Sequence, residues 1–290
     1  MKNILVTGGK GQLATCLQDV SEDLYDFNFI YVDVEELDIT KSDIVNDFFI
    51  QNNIDYCINC AAYTDVDNAE SNQEIAAAVN IDGAKNLAIA CHENKAILLQ
   101  ISTDFVFDGN QAILYTEEAR AAPISVYGET KLNGEKAVVQ ALKEHFIIRT
   151  SWLYSEYGNN FAKTMLRLGA ERDKLSVVCD QIGTPTYAGD LAKLLVSIII
   201  ENKTTFGIYH YSNEGVASWY DFAKAVFDES EVKIELSPIN TVQYPNPAKR
   251  PFFSVMDKTK IKLELGVEIP YWRDSLKICL IKLQKIIDGI

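Results

Sequence analysis

A tyrosine and a lysine stand four residues apart in Ser125-Val126-Tyr127-Gly128-Glu129-Thr130-Lys131, inside a run whose pattern predicts a helix. Residues at i and i+4 share a helix face, so the phenol and the ammonium converge on one point. A positive charge there favours tyrosinate and brings a phenol, ordinarily of pKa about 10, towards working pH. That pairing suits a proton donor. An isolated Tyr-x-x-x-Lys is more often a packed ring beside a solvated lysine, so its meaning depends on what surrounds it. Upstream, Gln100-Ile101-Ser102-Thr103-Asp104 closes an apolar run with hydroxyls and an acid. The carboxyl ends of strands are where open α/β sheets hold ligands. Thr103, Tyr127 and Lys131 thus form one candidate constellation of hydroxyl, phenol and ammonium.

A second set of residues suits a dinucleotide. Thr7-Gly8-Gly9-Lys10-Gly11-Gln12-Leu13-Ala14 follows the first apolar run and opens a helical one, with Gly8, Gly11 and Ala14 spaced G-x-x-G-x-x-A. Glycines there let the backbone turn tightly and approach a pyrophosphate at the positive helix N-terminus, and the small third residue lets helix and sheet close. About twenty residues on, Asp33 ends the second predicted strand, where a carboxylate can accept from both ribose hydroxyls and repel a 2′-phosphate. Asn59-Cys60-Ala61-Ala62-Tyr63-Thr64 ends the third predicted strand, and its small residues let the chain pass close beside a cofactor.

The elements that must position these residues alternate along the first half. Strands are predicted near 2–7, 28–33, 54–60, 96–102 and 145–151, and helices near 11–20, 41–52, 72–93 and 126–143. Strand and helix in alternation predict an α/β fold, a Rossmann-type doubly wound parallel sheet with helices on both faces. Beyond about 155 the pattern loosens: a helix near 158–170, a strand at 175–179, a turn at Gly183-Thr184-Pro185-Thr186, helices at 188–200 and 218–227, a loop from Pro238 to Pro251 and a final helix near 273–287. The expected organisation is a dinucleotide-binding lobe over 1–154, with 185–207 packed on it. A smaller, partly interleaved C-terminal substrate lobe takes 155–184 and 208–290.

Composition narrows the partners. With 27 basic and 41 acidic side chains the formal charge is −14, and no basic stripe is visible, which excludes a nucleic-acid partner. Met1-Lys2-Asn3 leads straight into Ile4-Leu5-Val6, and Leu194–Ile200 is too short an apolar run to span a bilayer, so a cytoplasmic protein without membrane contact is expected. Six cysteines lie scattered without a disulfide framework. Cys57 and Cys60 form a C-x-x-C, but within a strand residues three apart point to opposite faces, and no zinc site is expected.

Taken together, TGGKGQLA (7–14), NCAAYTDVDNAE (59–70), STDFVFDG (102–109), VYGETKLNGE (126–135), RTSWLY (149–154), GNNFAKTMLRL (158–168), DQIGTPT (180–186) and RP (250–251) resemble the extended short-chain dehydrogenases, and among them the dTDP-4-dehydrorhamnose reductases. The resemblance covers essentially the whole chain, and RTSWLY and GNNFAKTMLRL are the segments that point to the reductases. It implies reduction of the C4 ketone of dTDP-6-deoxy-L-lyxo-4-hexulose by NAD(P)H, with Tyr127 as proton donor, Lys131 as its helper and nicotinamide-ribose ligand, and Thr103 on the reacting oxygen. It implies further that Gly8, Gly11, Gln12 and Leu13 meet the pyrophosphate, Asp33 the ribose, Asp38 and Ile39 the adenine, and Ala61, Ala62, Tyr63, Thr64 and Ile101 the middle of the cofactor. Thr103, Asp104 and Trp152 would hold the deoxysugar, and Asn160 and Arg250, with Asn159 and Arg167, the nucleotide diphosphate.

Some members share Mg²⁺ at a dimer contact through carboxylates; this chain has Cys16 and Gly189 at two of those positions, so no metal is expected, and the protein is expected as a monomer or a homodimer not bridged by Mg²⁺. Asp33, followed by Val34 where relatives that favour NADPH often carry arginine, favours NADH, with NADPH accepted. The same core also serves other nucleotide-sugar reductases, epimerases and dehydratases, and a non-catalytic regulatory subunit of methionine adenosyltransferase. The complete Thr103, Tyr127 and Lys131 set favours an active enzyme.

Overall fold

The computed structural model describes residues 1–289. One parallel sheet carries the fold, built from β1 (Lys2–Thr7), β2 (Phe27–Val32), β3 (Ile54–Asn59), β4 (Ile97–Thr103), β5 (His145–Thr150) and a sixth strand, Gly207–His210. Their order is β2-β1-β3-β4-β5-sixth. The chain goes to one side of β1 for β2 and then returns to its other side for β3. That reversal opens a crevice outside the carboxyl ends of β1 and β3.

Helices cover both faces, which is why β5 is buried at all six positions, with the apolar Phe146–Ile148 at its centre. On one face α1 (Gln12–Ser21) meets the helix Ala188–Ile200 through Leu13, Leu17, Leu191 and Leu195. On the other, α2 (Ser42–Asn52) and the helices Ala84–Asn94 and Val126–Ala141 contribute Val45, Phe49, Leu87 and Val138. Cys57 belongs to the second of these clusters and Cys60 packs against the first, so the two thiols point to opposite faces. A separate core lies among Phe161–Glu171, Trp219–Glu229 and Trp272–Asp288, centred on Phe222, Phe227 and Leu276.

Three expectations need correction. The strand Gly207–His210, expected mostly in the second lobe, is the sheet's edge strand and pairs with β5, because Tyr209 is fully buried against Phe146 of that strand. The helix expected over 72–93 is broken: Gln73–Ala77 and Ala84–Asn94 flank a π-helical turn, Ala78–Gly83. There Gly134 of the Tyr127 helix comes so close that a Cβ would stand 2.1 Å from the Asn80 carbonyl oxygen. Finally, the Pro238 loop begins as a strand, Glu235–Ile239, paired with Lys174–Val178. Pro238 is tolerated because this is a two-stranded ribbon whose strands each have a free edge.

Candidate active site

At the crevice Gly8 adopts φ 65°, and a Cβ on it would lie 2.8 Å from the Ala61 backbone nitrogen. Only glycine fits where β1 turns beside the end of β3. Gly11 N donates to Gly8 O at 2.9 Å, so the loop folds back to start α1. The Gln12 side chain donates to Leu153 O at 3.3 Å and accepts from Ser155 Oγ at 3.2 Å, clamping the loop to the segment after β5. At the end of β2, Asp33 accepts from Lys10 N at 3.0 Å and Val34 N at 2.8 Å, which fixes its carboxylate at the mouth. Asp38 is held by the Thr40 hydroxyl at 2.7 Å, and this bond keeps its carboxyl below the usual range. Ile39 is buried, packed under Gly83.

A cavity of about 810 Å³ runs from these residues to the catalytic candidates. It is lined by Gly8, Gly11, Gln12, Leu13, Asp33, Asp38, Ile39, Ala61, Ala62, Thr64, Ile101, Thr103, Asp104, Tyr127, Lys131, Trp152, Asn160 and Arg250. Tyr63 is the one expected cofactor residue not in this lining; its backbone is instead tied to Asn80, N to Oδ1 at 2.9 Å and O to Nδ2 at 3.2 Å. The crowding around Gly8, the length of the cavity and the carboxylate at its far end suit a dinucleotide.

The helix carrying the phenol starts at Val126 because Ser125 caps it, accepting from Gly128 N at 3.2 Å. Gly128 and Gly134 let it lie against the chain: a Cβ on Gly128 would come 2.2 Å from Phe105 O. Burial pushes the Tyr127 phenol up to about 12, a hydrogen bond with Thr103 works the other way, and the Asp104 charge adds to the rise. Lys131, buried, donates to Ile101 O at 2.7 Å; burial pulls its ammonium down to about 8, while Glu135 holds it up. The expected lowering of the phenol by Lys131 is therefore absent here. Burial disfavours both charged forms, and the ammonium is turned to a carbonyl. Behind them Glu135 makes a bidentate pair with Arg149, Oε1 to Nε at 2.9 Å and Oε2 to Nη2 at 2.7 Å, and accepts from Ser102.

On the substrate side Trp152 takes φ 48°, an uncommon region for a bulky residue, and its half-buried ring stacks on Trp219 at 3.7 Å. Gly183 leaves room for that ring, since a Cβ there would lie 2.7 Å from it. A second cavity of about 1000 Å³ meets the first at Trp219 and Arg250. Arg250 is paired bidentately with Asp67, at 3.2 and 2.8 Å. Asn160 lines the first cavity, but its carbonyl caps Phe161–Glu171 by accepting from Lys163 N, and its amide donates to Ser155 O at 2.7 Å. Arg167 pairs with Glu171 at 3.2 Å, away from both linings. Sequence reading missed Asn80, Asp67, Lys10 and Trp219. Each acts through a partner distant in sequence, so no local pattern singles it out.

Fold and site together define a nicotinamide-dependent reductase of the short-chain dehydrogenase kind. The family model described as "RmlD substrate binding domain" matches residues 1–285. The dTDP-4-dehydrorhamnose reductase of Aggregatibacter actinomycetemcomitans is 42% identical over 96% of this chain and 98% of its own. A crystal structure of a dTDP-4-dehydrorhamnose reductase from Clostridium acetobutylicum superposes with a TM-score of 0.94 at 41% identity, covering 97% of this chain and 99% of that one. One from Bacillus anthracis, in complex with NADP, gives 0.94 at 39% over 97% and 100%. The chain belongs to the dTDP-4-dehydrorhamnose reductase family.

Proposed function

We propose that the protein reduces the C4 ketone of dTDP-4-dehydro-L-rhamnose (dTDP-6-deoxy-L-lyxo-4-hexulose) to dTDP-L-rhamnose, using NADH in preference to NADPH. The observation that carries this reading is the convergence of Thr103, Tyr127 and Lys131 in one cavity with the glycine loop, in a chain related end to end to dTDP-4-dehydrorhamnose reductases. When bound along Gly8–Leu13, Asp33 and Ala61–Thr64, the dinucleotide supplies the hydride. Tyr127 gives its proton to the ketone oxygen, which the Thr103 hydroxyl orients. Its raised pKa means that the phenol holds that proton at neutral pH. Lys131, on the same helix face, stabilises negative charge as it passes to the phenol and is placed to meet the nicotinamide ribose.

Asp104 and Trp152 hold the deoxysugar, and Arg250 turns from Asp67 to the diphosphate, for which its fork is suited. Asn160 serves the substrate by holding the cavity wall. The division into a cofactor lobe over 1–154 with 185–207 and a substrate lobe over 155–184 and 208 onwards is kept, with the edge strand Gly207–His210 and the helix Thr259–Leu265 returned to the cofactor lobe, since Tyr209, Ile261 and Leu265 share its core. Bound metal has no role in this scheme. Turnover measured on several nucleotide ketosugars tests the reading: the dTDP-linked 4-ketosugar should give the highest kcat/KM, and faster turnover of another would transfer the assignment to a different sugar.

A further inference from the structure

Thr103 has a single hydroxyl proton, and in this structure it is not directed at a substrate position. Oγ1 donates to Asp104 Oδ1 at 3.1 Å and accepts from the Phe105 amide at 3.2 Å. The Tyr127 phenol meets the same hydroxyl. Asp104 is 1% exposed and lines the cavity, and its Oδ2 is buried without a hydrogen-bond partner. An unpaired oxygen is far costlier on a buried carboxylate than on a neutral acid.

A ketone oxygen only accepts hydrogen bonds, so Thr103 and Tyr127 must both donate to it. If Thr103 turns its proton to the ketone, an ionised Asp104 loses the donor on Oδ1 while Oδ2 already lacks one. A protonated Asp104 resolves this by reversing the bond. Its O–H donates to Thr103 Oγ1, Thr103 donates to the ketone, and the remaining carboxyl oxygen can accept from a sugar hydroxyl. Every group in the chain is then matched.

We propose that Asp104 is protonated in the reducing complex and is the positioning residue that turns the Thr103 hydroxyl onto the ketone oxygen. The inference rests on the ketone-reducing reading of the site. No proton leaves Asp104 in the reaction; the one delivered to the substrate oxygen comes from Tyr127, and the hydride from the nicotinamide cofactor. Burial already raises the Asp104 carboxyl to about 6, against the opposing pull of the nearby Ser254 and Thr103 hydroxyls and backbone amides. From the helix Val126–Ala141 it is faced by Tyr127, with Lys131 lying on Ile101 O, and from the chain before Thr259 by the uncharged Ser254. The other charged groups in the cavity lining are Arg250, held by Asp67, and Lys10, Asp33 and Asp38 at the adenosine end. A carboxyl kept neutral in order to donate is an established use of burial.

The test is the pH profile of kcat/KM for the dTDP-ketosugar, which reports groups of the free enzyme. For the wild type we expect a fall of about 10-fold to a lower plateau as pH rises through about 6, reflecting loss of one oriented donor. Asp104→Asn, whose amide donates at any pH, should lose this limb while turning over somewhat more slowly. Thr103→Val should lose the limb and remain at the low plateau. A limb that persists in Asp104→Asn, or an Asn variant as poor as Thr103→Val at every pH, overturns the proposal. Infrared difference spectra of the wild type holding oxidised cofactor, on adding the dTDP-linked 4-ketosugar with which it cannot react, provide a readout that needs no variant: a protonated-carboxyl band should grow, and growth of carboxylate bands alone would contradict it. Wild-type protein inactive on every ketosugar would overturn the functional reading and this inference together, whereas an active wild type without the limb overturns this inference alone.

Discussion

Tyr127 and Lys131 show how burial changes what a spacing implies. The four-residue interval was legible, and it does place phenol and ammonium in one cavity. The direction of the phenol's shift was not, because the water excluded around both groups is a property of the fold. Tyr127→Phe should lower kcat by about 10²–10⁴-fold and leave cofactor affinity within a few-fold, as removal of a proton donor does. Fluorescence titration beside steady-state kinetics separates the two effects, and near-normal turnover would exclude Tyr127 as the donor. Lys131→Met should damage both. The lysine also has a thermodynamic signature: its pKa is lowered from 10.5 to about 8 in the folded chain. Between those values the unfolded chain binds more protons, so this residue's contribution to stability rises with pH there, and the methionine variant should lack that rise. Asp33 makes a separate prediction. Its fixed carboxylate beside exposed Val34 should give a higher kcat/KM with NADH than with NADPH, and Asp33→Ala combined with Val34→Arg should move the ratio towards NADPH by about 10-fold or more. A wild-type preference for NADPH would mean that Lys10, drawn away from Glu35 at 2.8 Å, governs the choice.

Among elements, the helix Val126–Ala141 has the most exacting fit, because two of its glycines touch backbone. Gly134→Ala would put a Cβ onto the Asn80 carbonyl, and Asn80 holds the Tyr63 backbone and donates to Thr130 Oγ1 at 3.0 Å. The substitution should therefore cost about 1–3 kcal/mol of stability and also weaken cofactor binding. Chemical denaturation and cofactor titration check both effects; an unchanged cofactor affinity would show that the Asn80 link does not reach the site. This element also marks the limit of sequence reading. Apolar runs such as Ile97–Leu99 and Phe146–Ile148 announce buried parallel strands, and Gly8 announces a tight turn by chemistry local to it. The π turn at Ala78–Gly83, the placing of Gly207–His210 beside β5 and the stacking of Trp219 on Trp152 depend on partners distant in sequence. No local periodicity encodes those meetings.

At the scale of the whole molecule, a chain of net charge −14 presents one long cavity, with Arg250 at its junction with a second. Around Cys16 and Gly189, where the family resemblance would place carboxylates in some members, the side chains are these. Cys16 is buried, its thiol pushed up to about 12 by burial, and the Lys282 ammonium lies 3.2 Å from Glu156 Oε1. Gly189 has no room for a side chain, since a Cβ would stand 2.5 Å from the Tyr187 ring. A lysine there supplies positive charge where a divalent ion would need oxygen ligands. EDTA should leave activity and apparent mass unchanged, and loss of either, restored by Mg²⁺, would show that other acids bind the ion. The central claim is reduction at sugar C4 with Tyr127 as donor, and isotope transfer tests it most directly. With NADH deuterated on the transferring face of nicotinamide C4 and dTDP-4-dehydro-L-rhamnose as substrate, NMR of the wild-type product should show dTDP-L-rhamnose with deuterium at sugar C4, formed mole for mole with oxidised cofactor, and Tyr127→Phe should form it at least about 10²-fold more slowly. Deuterium at another carbon, a product of different configuration, or equal rates from the two proteins would contradict the account.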